Sequence, residues 1–543
     1  MTGAQALIES LKLAGVEHIF GYAGATICPA VDALAGAPEI GYTLVRTEQN
    51  AGHMASGYYR VTGKVGVAMV TSGPGATNLL TGIATAYMDS IPMVAITGQV
   101  PSHLLGRDIF QEVDITGAAA PFTKHSYLVK DANDIPRIVA ESFHIAATGR
   151  PGPVLIDLPI DVQNALLKKF EYPESVNLRS YKPSVRGHEM QIKRVVKAMS
   201  NAKNPVIYAG GGVFLAHGEG ALRELVERTN IPVVTTMMGL SLLPTEHPLN
   251  LGMIGAFGNT AANKALAKTD LLIMIGGRVA DRAILSPEDI QKRTTIIHID
   301  VDPAEIGKNM RAEIPVVGDV RVILQQLLEV IEPRALTDWT REFQQRRAEE
   351  LARPFPEQRE GYVFPGAVMR ALGRKLKYNA AVCVDVGQNQ IWACKHLNLN
   401  GGRLLTSGGL GTMGYALPAA VGVKVAQPGR QTVVICGDGS FQMSFNELAA
   451  VVKAQMDIKI VLIRNNYLGL VRQIQATPTY PAGPFGVALD GSPNFARLAA
   501  AYGIPSRVLD QPEQIDSALN ELLGEPGPRL LIVSTDPLAH TND

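Results

Sequence analysis

Asp438 stands between two glycines at the end of an apolar run, QTVVICGDG, and a second run, IKIVLIRNN, ends in the paired amides Asn465 and Asn466, with 25 residues between Gly439 and Asn465. A carboxylate and a side-chain carbonyl brought to one place are hard oxygen donors of the kind Mg²⁺ takes together with phosphate oxygens. Gly437 and Gly439 permit a tight turn and let backbone amides approach an anion, and Ser440 opens a helical pattern whose first amides favour phosphate. The Gly-Asp-Gly triplet alone is more often an Asp-capped turn. The return of a parallel strand carrying Asn465 to the same sheet edge is what points to a metal-bridged diphosphate. Upstream, Glu48 follows an apolar run and precedes a helix of small residues, the setting of a capping acid or of one that handles protons. In the middle of the chain Gly210, Gly211 and Gly212 end the run VIYAGG and Asp300 ends TIIHID, a weak mark of dinucleotide binding.

The elements that position these residues are short apolar runs alternating with helical patterns. VGVAMVTSG, IPMVAITG and GPVLIDLP in the first third, PVIYAG, IPVVTT and LLIMIGG in the second, and AAVCVDVG, QTVVICGDG and RLLIVST in the last read as buried strands. This pattern predicts an α/β chain of three doubly wound parallel-sheet domains, over 1–165, 190–335 and 362–543. The polar segment 164–190 and the charged helical segment 337–361 read as linkers.

The 543 residues are 46% hydrophobic and 18% charged, with 50 basic against 50 acidic side chains. That balance offers no net field for nucleic acid or an anionic membrane. The four cysteines form no CxxC pair and are expected to be small core residues in a reducing, cytoplasmic setting. No signal peptide and no apolar run of membrane-spanning length is expected.

The triplet followed by Asn465–Asn466 resembles the fingerprint of thiamine diphosphate-dependent enzymes. Longer stretches are similar to the catalytic subunit of the acetohydroxyacid (acetolactate) synthases: TSGPGATNLLTGIATAYMDSIPMVAITGQVPSHLLGRDIFQEVD (71–114), KHSYLVKD, GRPGPVLIDLP and LTSGGLGTMGYALPAAVG. The resemblance implies decarboxylation of pyruvate and transfer of the two-carbon unit to a second 2-oxoacid. It implies that Asp438, Asn465 and the carbonyl of Tyr467 hold Mg²⁺, and that Gly437, Gly439, Ser440, Gln388 and Asn389 meet the diphosphate. Glu48 would activate the cofactor, with Gly24, Ser72, Gly73, Pro74, Asn78, Gly411 and Met413 lining its pocket. Phe110, Gln111 and Lys124 would face the reacting carbons from a neighbouring chain, and Arg282 would clamp the acceptor carboxylate. FAD would lie on Gly210, Gly211, Gly212, Thr236, Met237, Gly276, Arg278, Asp281, Asp300 and Asp319. An active site shared between subunits implies a homodimer or tetramer, and a small regulatory subunit is a further partner of such chains.

The chain also departs from the family pattern. Ala23 and Ala25 replace a proline and a glycine, Arg464 replaces an asparagine, Ala256 and Phe257 replace Met and His, and Val279 and Ala280 replace Phe and Asp. Ile474 stands where many synthases carry a tryptophan that shapes the acceptor pocket. The end, VSTDPLAHTND, lacks the usual proline-rich tail. These departures keep open a decarboxylase, a carboligase with another acceptor, or a cofactor-binding relative without activity.

Overall fold

The computed structural model describes residues 1–357 and 359–542. Among them, eighteen strands form three six-stranded sheets, and all the pairings within these sheets are parallel. The first contains β1 (His18–Tyr22), β2 (Gly41–Leu44), β3 (Gly66–Val70), β4 (Met93–Gln99), β5 (His125–Leu128) and β6 (Pro153–Pro159), in the order β2-β1-β3-β4-β6-β5. The second contains β7 (Pro205–Ala209), β8 (Val233–Thr235), β9 (Asn250–Met253), β10 (Leu271–Ile275), β11 (Thr295–Asp300) and β12 (Ile314–Val317), in the order β12-β11-β10-β7-β8-β9. The third contains β13 (Ala381–Val384), β14 (Arg403–Leu405), β15 (Thr432–Gly437), β16 (Ile458–Arg464), β17 (Ser506–Leu509) and β18 (Arg529–Ser534), in the order β14-β13-β15-β16-β18-β17. Central strands such as β4, β7 and β10 are buried along their whole length, because helices cover both faces and no polar alternation is needed.

The first and third sheets therefore have one strand order and the middle sheet another. The order reverses between β1 and β3, between β7 and β10, and between β13 and β15, and the outer sheets turn back again at their far edge, where β6 lies inside β5 and β18 inside β17. At such a reversal the loops leave in opposite directions and open a crevice at the carboxyl ends of the strands.

The first and third domains share a core. The helix Glu48–Thr62, which follows β2, crosses the helix Ala416–Ala426, which occupies the equivalent place after β14. The two backbones touch through glycine: a Cβ on Gly57 would strike the carbonyl oxygen of Ala419, and one on Gly422 would strike that of Met54. Met54, Ala55 and Tyr58 thereby join Ala419, Ala420 and Val423 in a single cluster.

Two expectations about connections differ from what is observed. The charged helical stretch read as a linker after 337 is the helix Asp338–Ala352, but it packs: its Trp339 and Phe343 insert into the middle domain. Charge on its outer face hides two aromatic anchors, and Trp339 Nε1 donates to Pro205 O at 3.2 Å. The helix expected from Ser440 onward is broken into Asp438–Phe441, a 3₁₀ turn at Phe445–Glu447 and Leu448–Lys453. All four cysteines are free, and only Cys28 is exposed. No helix among the described residues is long and apolar enough to cross a membrane.

Candidate active site

β15 and β13 end side by side at the reversal of the third sheet, and the turn after β15 carries Asp438. Its carboxylate is 2% exposed and takes three backbone amides: Gly439 N at 3.0 Å on Oδ1, and Asn465 N at 3.1 Å and Asn466 N at 2.6 Å on Oδ2. Asn466 adopts φ 60°, a left-handed conformation that lets two successive amides face one oxygen. Asn465 directs Oδ1 toward Tyr467 N (3.0 Å) and donates through Nδ2 to Gln388 Oε1 (3.0 Å). Gln388 opens the helix Gln388–His396, and Asn389 beside it donates to Asp385 O at 2.7 Å. Gly437 and Ser440 close the turn through Gly437 N to Ser440 Oγ at 3.1 Å.

Burial pushes the Asp438 carboxyl up to about 6, and the three amides only partly offset it. A buried carboxylate without a cation is costly, so this position fits a divalent ion. Among the described residues no three His, Cys, Asp or Glu side chains converge. One carboxylate, one amide oxygen and a main-chain carbonyl suit Mg²⁺ completed by phosphate oxygens, and do not suit zinc.

The equivalent edge of the first sheet holds the other group of predicted residues. Glu48 is the first residue of its helix and accepts from Asn78 Nδ2 at 3.0 Å. Ser72 is fully buried, and its Oγ has no partner among the described residues. Gly73, at φ 57°, packs where a Cβ would meet the Gln111 side chain, and Gly24 packs likewise against Thr71. Phe110 is 85% exposed. No hydrogen bond among the described residues joins these groups to the Asp438 edge.

Lys124, which the resemblance turns toward the reacting carbons from a neighbouring chain, donates within its own chain to the carbonyls of Ile145 and Thr148 and to the Tyr181 hydroxyl, the last two at 2.7 and 2.8 Å. Its three protons are taken, and burial, helped by the charge of Arg150, lowers it to about 8. Here Lys124 ties β5 to the segment that leads into the middle domain.

The middle domain faces a cavity of about 960 Å³ to which all three domains contribute walls. Gly211, Gly212 and Gly276 line it at the reversal between β7 and β10. Gly210 lies just behind them, where a Cβ would strike the backbone of Gly276. Thr236, Met237, Arg278, Asp281, Arg282, Asp300 and Asp319 also line it, with Gly411 and Ile474 from the third domain. Arg278 reaches the first domain through Met88 O at 2.9 Å, and Asp319 caps a helix through Val322 N at 3.0 Å. Asp300 accepts from Asp302 N at 2.9 Å and is raised to about 6 by burial. Asp281 and Arg282 are exposed at the mouth, 3.6 Å apart. Volume, glycine-lined turn and buried acid fit a dinucleotide.

One organising residue escaped the sequence reading. Asp385 is 1% exposed; its Oδ1 takes Gly414 N at 2.9 Å and its Oδ2 takes Ala416 N at 3.1 Å, so it shapes the turn that carries Gly411 and Met413. Burial raises it to about 6. Its signal was present: it closes the run AAVCVD as Asp438 closes QTVVICGD.

Comparison with known proteins places three family models along the chain. The N-terminal TPP (thiamine pyrophosphate) binding domain matches residues 1–118, the central domain of thiamine pyrophosphate enzymes 192–327, and the C-terminal TPP binding domain 385–533. The chain is 44% identical to an acetolactate synthase of Arthrospira platensis, covering 98% of this chain and 94% of that one. It is 42% identical to the acetolactate synthase isozyme 3 large subunit of Escherichia coli, covering 96% and 92%. It is 46% identical to an acetolactate synthase large subunit of Corynebacterium glutamicum, covering 88% and 76%.

Proposed function

The chain belongs to the thiamine pyrophosphate enzymes of the acetolactate synthase family, and we propose that it condenses two pyruvate molecules into acetolactate and carbon dioxide. The observation that carries this reading is the buried, amide-held Asp438 beside Asn465 at the reversal of the third sheet.

Bound thiamine diphosphate supplies the carbon that adds to the 2-oxoacid and the sink for the electron pair that decarboxylation leaves. Asp438, Asn465 Oδ1 and the Tyr467 carbonyl would hold its Mg²⁺. Gly437, Gly439, Ser440, Gln388 and Asn389 would hold the diphosphate. Met413, Gly411, Gly24, Ser72, Gly73, Pro74 and Asn78 would enclose the pyrimidine end. Glu48 would hold a proton at the ring nitrogen, with Asn78 orienting its carboxylate. Arg282 at the cavity mouth would bind the acceptor carboxylate, a charge-assisted contact, and Ile474 and Leu470 on the same wall would limit acceptor size.

Glu48, Phe110, Gln111 and Lys124 of one protomer would complete the Asp438 site of its partner, in a homodimer or a larger assembly. The exposure of Phe110 supports this. The three-domain cavity would take FAD, and the large-subunit names of the relatives support a smaller partner chain.

The test is pyruvate turnover by the purified protein with thiamine diphosphate and Mg²⁺, with and without FAD. Acetolactate is the expected product; acetaldehyde alone would overturn the carboligation step.

A further inference from the structure

Two carboxylates cross between the first and third domains, and they are built differently. Asp89 comes from the first domain and accepts Gly409 N at 2.7 Å and Gly408 N at 3.3 Å in the third. It is neutralised by Arg60, whose Nη2 lies 2.8 Å away with both side chains buried. Glu447 crosses the other way. Its Oε1 accepts Arg46 N at 2.7 Å and Asn50 Nδ2 at 2.9 Å, partners 401 and 397 residues away. Glu447 is wholly buried and forms no ion pair among the described residues, and its Oε2 has no hydrogen-bond partner among them. The Arg46 guanidinium turns instead to Leu44 O at 3.0 Å.

Its neighbour Asn446 adds a third strut, donating from Nδ2 to Thr47 Oγ1 at 2.9 Å. Thr47 is the N-cap of the Glu48 helix, yet its side chain makes no capping bond to that helix. A threonine hydroxyl at this position ordinarily accepts from an amide one turn on; here it is committed to the other domain. Residues 46, 47 and 50 are thus all held from the third domain, and Glu48 lies between them. Among the described residues, Glu48 itself is steadied on its own side by Asn78 alone. An amide or an apolar residue would join two domains at less cost than a buried carboxyl without an ion pair.

We propose that Glu447, with Asn446, is a positioning residue for Glu48: it sets the register of the Arg46–Asn50 turn and thereby where the Glu48 carboxylate stands. This rests on the reading of Glu48 as the acid that activates the cofactor. The break after Phe441 is what allows it. An unbroken helix would carry Asn446 and Glu447 along its own axis, whereas the 3₁₀ turn at Phe445–Glu447 presents both to the first domain.

The test compares Glu447→Ala, Glu447→Gln, Asn446→Ala and Glu48→Gln in the full-length protein. Proton exchange at the reactive carbon of bound thiamine diphosphate is followed by NMR. Backbone amide exchange over residues 45–52 is followed by mass spectrometry in the cofactor-free protein. Glu447→Ala should slow both the carbon proton exchange and kcat about tenfold or more, as expected for loss of a group that orients another. It should leave the KM for pyruvate and the affinity for thiamine diphosphate within about threefold on the same ground, and accelerate amide exchange in the 45–52 segment. Glu447→Gln keeps an acceptor oxygen and should recover most of the loss. In a Glu48→Gln background, Glu447→Ala should add nothing further to the loss of exchange.

Normal carbon proton exchange in Glu447→Ala, or an additive loss in the double variant, overturns the proposal. If Glu447→Ala does not fold, Asn446→Ala and Glu447→Gln carry the same test: unchanged rates and unchanged amide protection in both would overturn it. If Glu48→Gln itself leaves the exchange intact, the reading of Glu48 fails instead.

Discussion

The first and third domains share one strand order and use the same edge of it for different chemistry. In the third, the strand at the reversal ends in Asp438, drawn inward by three amides. In the first, the equivalent strand runs into Ser72 and Gly73, without an acid, and the carboxylate is moved to the helix after β2, where Glu48 has a single side-chain partner among the described residues. Topology supplies the crevice in both cases, and the residues placed on it decide whether it suits an anion with its metal or an uncharged ring. In the proposed function the preorganised acid would anchor the metal, and the lightly held one would be left to exchange a proton.

The sharpest way to break this comparison is Asp438→Ala. Affinity for Mg²⁺–thiamine diphosphate should fall about 10³-fold by calorimetry, the scale of losing one buried charged partner, and the fold should survive, since the buried carboxylate is no asset to stability. Glu48→Gln should leave that affinity nearly intact while kcat falls about 10²-fold or more, the size of a general acid–base contribution. Equal losses of binding in the two variants would erase the distinction between anchor and proton carrier.

The pH dependence sharpens it further. Asp438 is raised from 3.8 to about 6 by burial, so between those values the folded, metal-free chain binds more protons than the unfolded one. Its contribution to cofactor-free stability therefore falls as pH rises through that window. With Asp438 as the proposed metal ligand, cofactor affinity should move the other way, because a metal takes the carboxylate and not the acid. It should weaken about tenfold per pH unit below about 6, and Asp438→Asn should flatten that profile. Asp300 and Asp385 are raised similarly, so affinity, not melting temperature, is the discriminating readout.

Smaller effects belong to the three-domain cavity. Arg278→Ala releases the bond to Met88 O and should lower flavin retained on purification about tenfold, read by visible absorbance, the scale of one charged hydrogen bond. Protein that carries and binds no flavin would remove that reading of the cavity. Ile474→Trp, which adds an aromatic wall, should shift preference from pyruvate toward 2-oxobutanoate about fivefold, measured by competition.

The comparison also shows why some of the molecule was readable in advance. Asp438 and Asn465 lie in one contiguous strand–helix–strand unit, and the right-handed crossover of such a unit delivers both strand ends to one edge. Periodic burial within a short window was enough to see it. The bond from Lys124 to Tyr181, 57 residues on, was not legible, because no local pattern links the two. Trp339 and Phe343 were missed because a charged helix surface masks a two-residue anchor.

The sequence by itself determined three parallel α/β units, the acid and amide at one strand edge, and the glycines of the middle turn, all consequences of local pattern. Tertiary structure alone decided the matched strand order of the outer domains, the glycine crossing at Gly57 and Gly422, the cavity between three domains, and the hold of Glu447 on the Glu48 turn. These arise between residues hundreds of positions apart. Periodicity records which face of an element is buried but carries no record of what lies across from it.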